Sequence, residues 1–223
     1  MNTELKLRLE DVRARMARAA ESVKRDPAGI NLIAVTKVFP APAIRDAYEL
    51  GLREFGENYV QEFEDKFPEV CDLSDARFHL IGHLQSNKAK RAGEIFECIQ
   101  TVDSAKLAQR LDSLGAGLDV MIEVKLSPEQ AKSGASADEL PELIEAVRQC
   151  PQLTLIGLMT MPPWSDNAEE SRPYFRKLRA LAQFHDLPHL SIGMSHDLEV
   201  AIEEGATYVR VGTALFGKRK KPA

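Results

Sequence analysis

A lysine closes the apolar run Asn31-Leu32-Ile33-Ala34-Val35-Thr36-Lys37. The run reads as a buried parallel strand, so Lys37 falls where that strand exits into a loop. The end of a buried strand is a costly place for an ammonium unless the group is used or escapes to water. Two readings are open. The amine can form a Schiff base with an aldehyde, or the side chain can simply extend from the strand end to solvent. Two later loops, Gly193-Met194-Ser195-His196-Asp197 and Arg210-Val211-Gly212-Thr213, have the composition of anion sites. Glycine lets backbone N–H groups approach closely, and hydroxyls add donors. Ordinary turns use the same residues, so either loop alone is compatible with both roles. Arg210 interrupts the apolar strand Tyr208-Val209-Arg210-Val211, and alternation turns it away from the face of Val209 and Val211. It can be a rim ion-pair partner or a fixed cation beneath a bound aromatic ring or anion.

The elements that must position these groups alternate along the chain. An amphipathic helix over 2–24 carries the stripe Leu5, Leu9, Val12, Met16, Ala19 and Val23. Strands are predicted at 31–37, 54–56, 77–81, 98–101, 118–125, 153–159, 189–193 and 208–211. Helices are predicted at 42–50, 59–67, 87–92, 104–114, 137–150, 167–184 and 196–204. Asp103-Ser104, Ser136 and Asp166 are candidate caps, and Gly51, Gly93, Gly115 and Gly205 fall where helices should stop. Strands alternating with helices in this number give an α/β chain with the arithmetic of a closed (β/α)₈ TIM barrel. An outer helix after the last strand is missing, and the N-terminal helix is expected to fill its place. An open doubly wound sheet is the alternative. One domain over 1–223 is expected, with mobile segments at 125–136 and 161–166.

In a barrel, function sits at the C-terminal ends of the strands, and phosphate commonly binds in the loops after the seventh and eighth. The glycine–hydroxyl loops occupy those two positions, and Lys37 ends the first strand. An amine, a phosphate cup and a guanidinium at one rim suit an aldehyde cofactor carrying a phosphate, such as pyridoxal 5′-phosphate.

The same residues carry a resemblance. Ala34-Val35-Thr36-Lys37, Phe55-Gly56-Glu57-Asn58-Tyr59-Val60-Gln61-Glu62, His79-Leu80-Ile81-Gly82-His83-Leu84-Gln85-Ser86-Asn87-Lys88, Gly157-Leu158-Met159, Gly193-Met194-Ser195-His196-Asp197-Leu198-Glu199 and Val209-Arg210-Val211-Gly212-Thr213-Ala214-Leu215-Phe216-Gly217 together resemble the pyridoxal phosphate homeostasis proteins. These are single-domain relatives of the alanine racemase N-terminal barrel, the pyridoxal phosphate fold type III. The resemblance implies Lys37 as the Schiff-base lysine and Arg210 facing the pyridine nitrogen. It implies a phosphate cup of Ser195, Gly212 and Thr213 with the backbone of Met194. Asn58 would lie near the ring oxygen, and His79 and Met159 would line the pocket. His196 receives no role, and Val38 stands where many relatives have a polar residue. The implied work is vitamin B6 homeostasis in the cytoplasm. A monomer would hold the cofactor and buffer it or deliver it to apo forms of enzymes that use it. An arginine facing the ring nitrogen leaves that nitrogen unprotonated and the ring a weaker electron sink. The related racemases use a second domain and an opposing tyrosine. Here the chain stops just past the eighth strand, and Tyr48, Tyr59, Tyr174 and Tyr208 have no evident claim to that role.

Other classes have less support. The chain of 223 residues is 44% hydrophobic with a net charge of −5, which argues against a dedicated nucleic-acid binder. The basic tail Lys218-Arg219-Lys220-Lys221 reads as a solvated terminus. No run approaches the ~20 apolar residues that span a bilayer, and the polar start Met1-Asn2-Thr3-Glu4 lacks a signal-peptide pattern. Cys71, Cys98 and Cys150 lack disulfide or zinc spacing. His79/His83 and His185/His189 share a spacing but not a helical face. Glu57, Glu62 and Glu64 read as a solvated helix start. Two enzymatic alternatives stay open: a pyridoxal-phosphate-dependent amino-acid racemase or lyase of low activity, and a sugar-phosphate barrel enzyme using Lys37 on its substrate.

Overall fold

The computed structural model describes residues 2–127 and 133–217. The basic tail and part of the 125–136 loop lie outside the described residues. Eight strands occur among them: β1 (Asn31–Val35), β2 (Glu54–Glu57), β3 (Arg77–Leu80), β4 (Cys98–Val102), β5 (Leu118–Glu123), β6 (Leu153–Met159), β7 (His189–Met194) and β8 (Tyr208–Val211). They form a closed barrel in sequence order. All neighbours run parallel, and β1 closes the ring by pairing with β8 from Asn31↔Tyr208 to Ala34↔Val211. Helix α1 (Thr3–Ser22) precedes β1. The outer helices are α2 (Ala41–Glu49), α3 (Val60–Lys66), α4 (Ala89–Ile95), α5 (Ala105–Asp112), α6 (Leu140–Arg148), α7 (Arg172–Phe184) and α8 (Leu198–Glu203).

The period-2 pattern of the strands divides the interior into two cores. Leu32, Ala34, Phe55, Phe78, Leu80, Val209 and Val211 face outward into the helix layer. Ile33, Val35, Ile81, Met121, Met159 and Tyr208 face inward as a separate small cluster. Glu54, His79, Gln100, Ser191 and Arg210 share the inward register, so the barrel interior is partly polar.

Helix α1 takes the vacant outer position. Asn2 caps it by accepting from Leu5 N–H at 3.2 Å. Leu5, Leu9, Val12, Met16 and Ala19 are buried against α8 and the segment that follows β8. Val23 departs from the predicted stripe; it lies past the helix end and is exposed, while Ala20 completes the buried face. A further difference is the single turn α9 (Thr213–Phe216) after β8, where no helix is predicted. Four residues are too few to show a helical period.

One expected cap forms, with Ser104 Oγ accepting from Leu107 N–H at 3.4 Å. At the second, α6 starts only at Leu140, where Glu139 gives no side-chain cap. Ser136 instead closes the preceding turn: Glu139 N–H donates to Ser136 Oγ at 3.2 Å and Ser136 N–H to Glu139 Oε2 at 2.9 Å. At the third, Asn167 rather than Asp166 accepts from Glu169 N–H, opening a short 3₁₀ turn before α7. Gly93 does not stop a helix. It lies inside α4, where a β-carbon would sit 2.8 Å from Leu114 Cδ1, so its small size lets α4 approach its neighbour.

Gly157 has a comparable duty in the sheet. A β-carbon there would lie 2.1 Å from the His189 carbonyl oxygen, across the β6–β7 ladder. Backbone cannot yield as a side chain can. Gly157→Ala is expected to destabilise by about 3 kcal/mol, the upper end of ordinary overpacking. A urea melt checks this, and an unchanged midpoint would show that the two strands can separate locally. Among the described residues no helix is long and apolar enough to cross a membrane.

Candidate functional site

A cavity of about 490 Å³ opens at the C-terminal ends of the strands. Seven of the nine residues proposed from sequence line it: Lys37, Asn58, Met194, Ser195, Arg210, Gly212 and Thr213. His79 and Met159 are not in its wall. Both are completely buried deeper in the barrel, because the cavity floor is formed one layer higher by Val35 and Ile81.

Lys37 sits two residues past the end of β1, in a turn fixed from behind. Thr36 Oγ1 donates to Glu57 Oε1 at 2.8 Å. Lys66 Nζ donates to Thr36 O at 3.1 Å, Glu57 Oε1 at 2.9 Å and Glu62 Oε1 at 2.6 Å. The Val38 N–H donates to the same Glu62 oxygen at 2.5 Å. Val38 has φ +64°, a strained conformation for a β-branched residue that the surrounding contacts must enforce. Glu57 is thus no solvated helix start; it is fully buried at the end of β2. Burial holds its carboxyl above the ordinary range, opposed by Lys66 and Thr36. The residue type alone suggested solvent; in the structure Glu57 shares the outward register of Phe55, beside Leu80, and faces the helix layer, where Lys66 of α3 meets it.

Asn58 follows β2 and is set by its contact with the end of β3. A β-carbon on Gly82 would fall 2.3 Å from the Asn58 carbonyl oxygen, so only glycine permits this approach. Thr101 Oγ1 anchors Gly82 by donating to its carbonyl at 2.8 Å. The Asn58 side-chain oxygen is buried and has no hydrogen-bond partner.

The two glycine–hydroxyl loops are joined to each other. Gly193 has φ +86°, and a β-carbon there would meet Ala201 Cβ at 2.4 Å. The loop behind it is closed by Asp197, whose Oδ1 accepts from Met194 N–H at 2.7 Å and whose Oδ2 accepts from Ser171 Oγ at 2.8 Å. The Met194 N–H is therefore engaged within the loop. Arg15 of α1 donates to Ser195 O at 3.0 Å and pairs with both oxygens of Glu199. Ala214 N–H donates to Ser195 Oγ at 3.2 Å, tying the β7 loop to α9. Gly212 at the start of α9 has no side chain to cap it, and the Ser195 hydroxyl serves the helix instead.

Arg210 points into the barrel and is 3% exposed, so it is not a rim residue. Nη1 donates to Ser191 O at 2.6 Å and to Ser191 Oγ at 2.7 Å, and Nη2 donates to Thr160 O at 3.0 Å. Burial lowers its pKa to about 10, against the pull of Asp197 and Glu123. It remains a cation at neutral pH.

Sequence reasoning did not single out the outer wall. Met161, Trp164 and His196 line the cavity, and the rings of Trp164 and His196 lie 5.2 Å apart. Trp164 is the chain's one tryptophan and lies in the loop after β6, which was the legible clue. No tyrosine among the described residues lines the cavity. Tyr208 is on the barrel floor between His79 and His189, and Tyr48 donates to Asp75 at the surface. No group of three metal-ligating side chains occurs among the described residues.

Comparison with known proteins follows this geometry. The sequence model of the family "Alanine racemase, N-terminal domain" matches residues 7–220. A pyridoxal phosphate homeostasis protein of Pseudomonas aeruginosa is 47% identical over 214 residues, covering 93% of each chain. Its namesake in Aquifex aeolicus is 43% identical over 223 residues, covering 96% of this chain and 97% of the other. Among solved structures, PipY of Synechococcus elongatus with PLP bound superposes with a TM-score of 0.80 at 41% identity, over 91% of this chain and all of that one.

Proposed function

The chain belongs to the alanine racemase N-terminal domain family, and within it to the pyridoxal phosphate homeostasis proteins, and from that premise we propose that its cavity binds pyridoxal 5′-phosphate to buffer and deliver it. One observation carries the reading: a single cavity has in its wall an amine, two glycine–hydroxyl loops and a buried guanidinium. The fit is also visible in Asn58, whose buried side-chain oxygen awaits a partner.

Lys37 would hold the aldehyde carbon through Nζ. Ser195, Gly212 and Thr213 would hold the phosphate, with the two hydroxyls and the loop backbone as donors. Arg210 would donate to the ring nitrogen, and Asn58 would face the ring oxygen. When bound, the cofactor supplies an electrophilic carbon for amines and a conjugated ring able to accept electrons. Arg210 limits the second property, because a guanidinium gives up no proton and leaves the ring nitrogen an acceptor. Among the described residues the cavity also presents no tyrosine as a second acid–base group. Binding and release therefore dominate over turnover. The protein acts as a monomeric barrel domain in the cytoplasm, and its recipients are apo forms of enzymes that use the same cofactor.

Titration of the purified protein with pyridoxal 5′-phosphate tests this directly. A saturable visible absorption band is expected with one equivalent bound. A protein that stays colourless would redirect the cavity to a sugar phosphate. Sustained amino-acid racemisation lost with Lys37→Ala would make the protein an enzyme instead. The phosphate loop has its own check. Arg15→Met frees the Ser195 carbonyl and Glu199, and is expected to weaken pyridoxal 5′-phosphate binding about tenfold, the scale of a charge-assisted bond. Binding of pyridoxal, which lacks the phosphate, should be unchanged. Equal loss for both compounds would place Arg15's effect elsewhere than the phosphate.

A further inference from the structure

Beneath the cavity a line of hydrogen bonds threads the barrel. Arg210 Nη1 donates to Ser191 Oγ at 2.7 Å. Ser191 Oγ donates to Gln100 Oε1 at 2.6 Å. Gln100 Nε2 donates to His79 Nδ1 at 3.0 Å, and His79 Nε2 donates to the Glu54 carboxylate. The five residues come from β8, β7, β4, β3 and β2. Ser191, Gln100 and His79 are completely buried. Glu54 begins β2 and lies in the wall of a second cavity, at the N-terminal end of the barrel.

The two ends dictate the direction of every bond between them. A guanidinium only donates and a carboxylate only accepts. One orientation of the Gln100 amide and one tautomer of His79 then satisfy all members, with each hydrogen pointing from the cation toward the anion. Bonds aligned this way polarise one another in a buried setting. The line also occupies Arg210 selectively. Both Nη1 hydrogens are taken, by Ser191 O and Ser191 Oγ, and Nη2 uses one on Thr160 O. The remaining N–H groups of the fork are therefore fixed in direction.

We propose that Ser191, Gln100, His79 and Glu54 are positioning residues for Arg210, holding its remaining N–H groups toward the ring nitrogen of the cofactor. The inference rests on the cofactor reading above. It adds that residues far below the cavity govern both affinity and the electronic state of the bound ring.

The test compares wild type with Ser191→Ala, which removes only a hydroxyl, and Gln100→Leu, which removes both amide links. Each is expected to weaken pyridoxal 5′-phosphate binding about tenfold, the scale of one lost hydrogen bond, and to shift the absorption maximum of the bound ring. The double variant should be no worse than either single one, because a serial line is broken once. Nitrogen NMR of cofactor-free, histidine-labelled protein gives an independent readout. Gln100→Leu should move the His79 Nδ1 signal away from the hydrogen-bond acceptor position and leave the other four histidines unchanged. If wild type binds the cofactor and the variants keep its affinity and band while the His79 signal moves, the positioning role is wrong and the cofactor reading stands. Additive losses with shifts at every histidine would mean general packing damage and would also overturn it. If wild type itself fails to bind, the cofactor reading fails and this role goes with it.

Discussion

Lys37→Ala is expected to abolish covalent retention of pyridoxal 5′-phosphate. Borohydride reduction of wild type should add the mass of one reduced cofactor to the peptide containing Lys37, and the variant should gain none. The bound absorption band should vanish with the link. The phosphate contacts and Arg210 remain in the variant, so weak reversible binding survives, reduced by about a hundredfold or more, on the scale of several lost interactions. The prediction is specific because the turn around Lys37 is set by its neighbours: Thr36 and Val38 are bonded to Glu57, Lys66 and Glu62, independently of the Lys37 side chain. The alanine variant should therefore fold normally. A label found on another amine in wild type would refute the assignment.

Lys66→Met is expected to cost about 3–5 kcal/mol at neutral pH, the range for breaking one side of a buried ion pair. Lys66 is 8% exposed and Glu57 fully buried, so the stranded carboxylate cannot recover solvent. Burial already raises the Glu57 pKa in the native state, and Lys66 opposes that rise. Removing Lys66 must push the pKa further up. A carboxyl whose folded pKa exceeds its unfolded value takes up a proton on folding. Its unfavourable contribution is absent below the unfolded pKa, ~4.3, and grows as pH rises through the folded pKa. The stability gap between Lys66→Met and wild type should therefore be small near pH 4 and full near pH 8. Denaturant melts across that range measure it. The double variant Glu57→Gln with Lys66→Met should recover most of the loss, because it removes the buried charge rather than its partner. A gap independent of pH would show that Lys66 acts through packing alone. Lys66→Met also frees Thr36 O and Glu62, so it should loosen the Lys37 turn and weaken cofactor retention in parallel.

The cysteines show how much an environment adds to a residue type. The sequence offers three thiols of equal standing. Only Cys71 is exposed, whereas burial drives the Cys98 thiol far above its ordinary range and makes it inert.

By itself the sequence determined the eight strands and placed their ends to within two residues. Period-2 alternation put Arg210 opposite Val209 and Val211, and alternating strands and helices implied closure into a barrel. It also brought Lys37 and the loops at Gly193 and Gly212 to one rim, because parallel strands joined by helices all end on the same side. Closure itself decided what meets inside. Ser191 and Gln100 are 91 positions apart and on non-adjacent strands, yet they touch across the barrel. Arg15 reaches Ser195 over 180 positions because α1 fills the gap beside α8. His79 and Met159 fell below the cavity for the same reason. Alternation gives the face of a strand, but the depth of a residue depends on strand tilt and stagger, which are properties of the closed ring and not of any one segment.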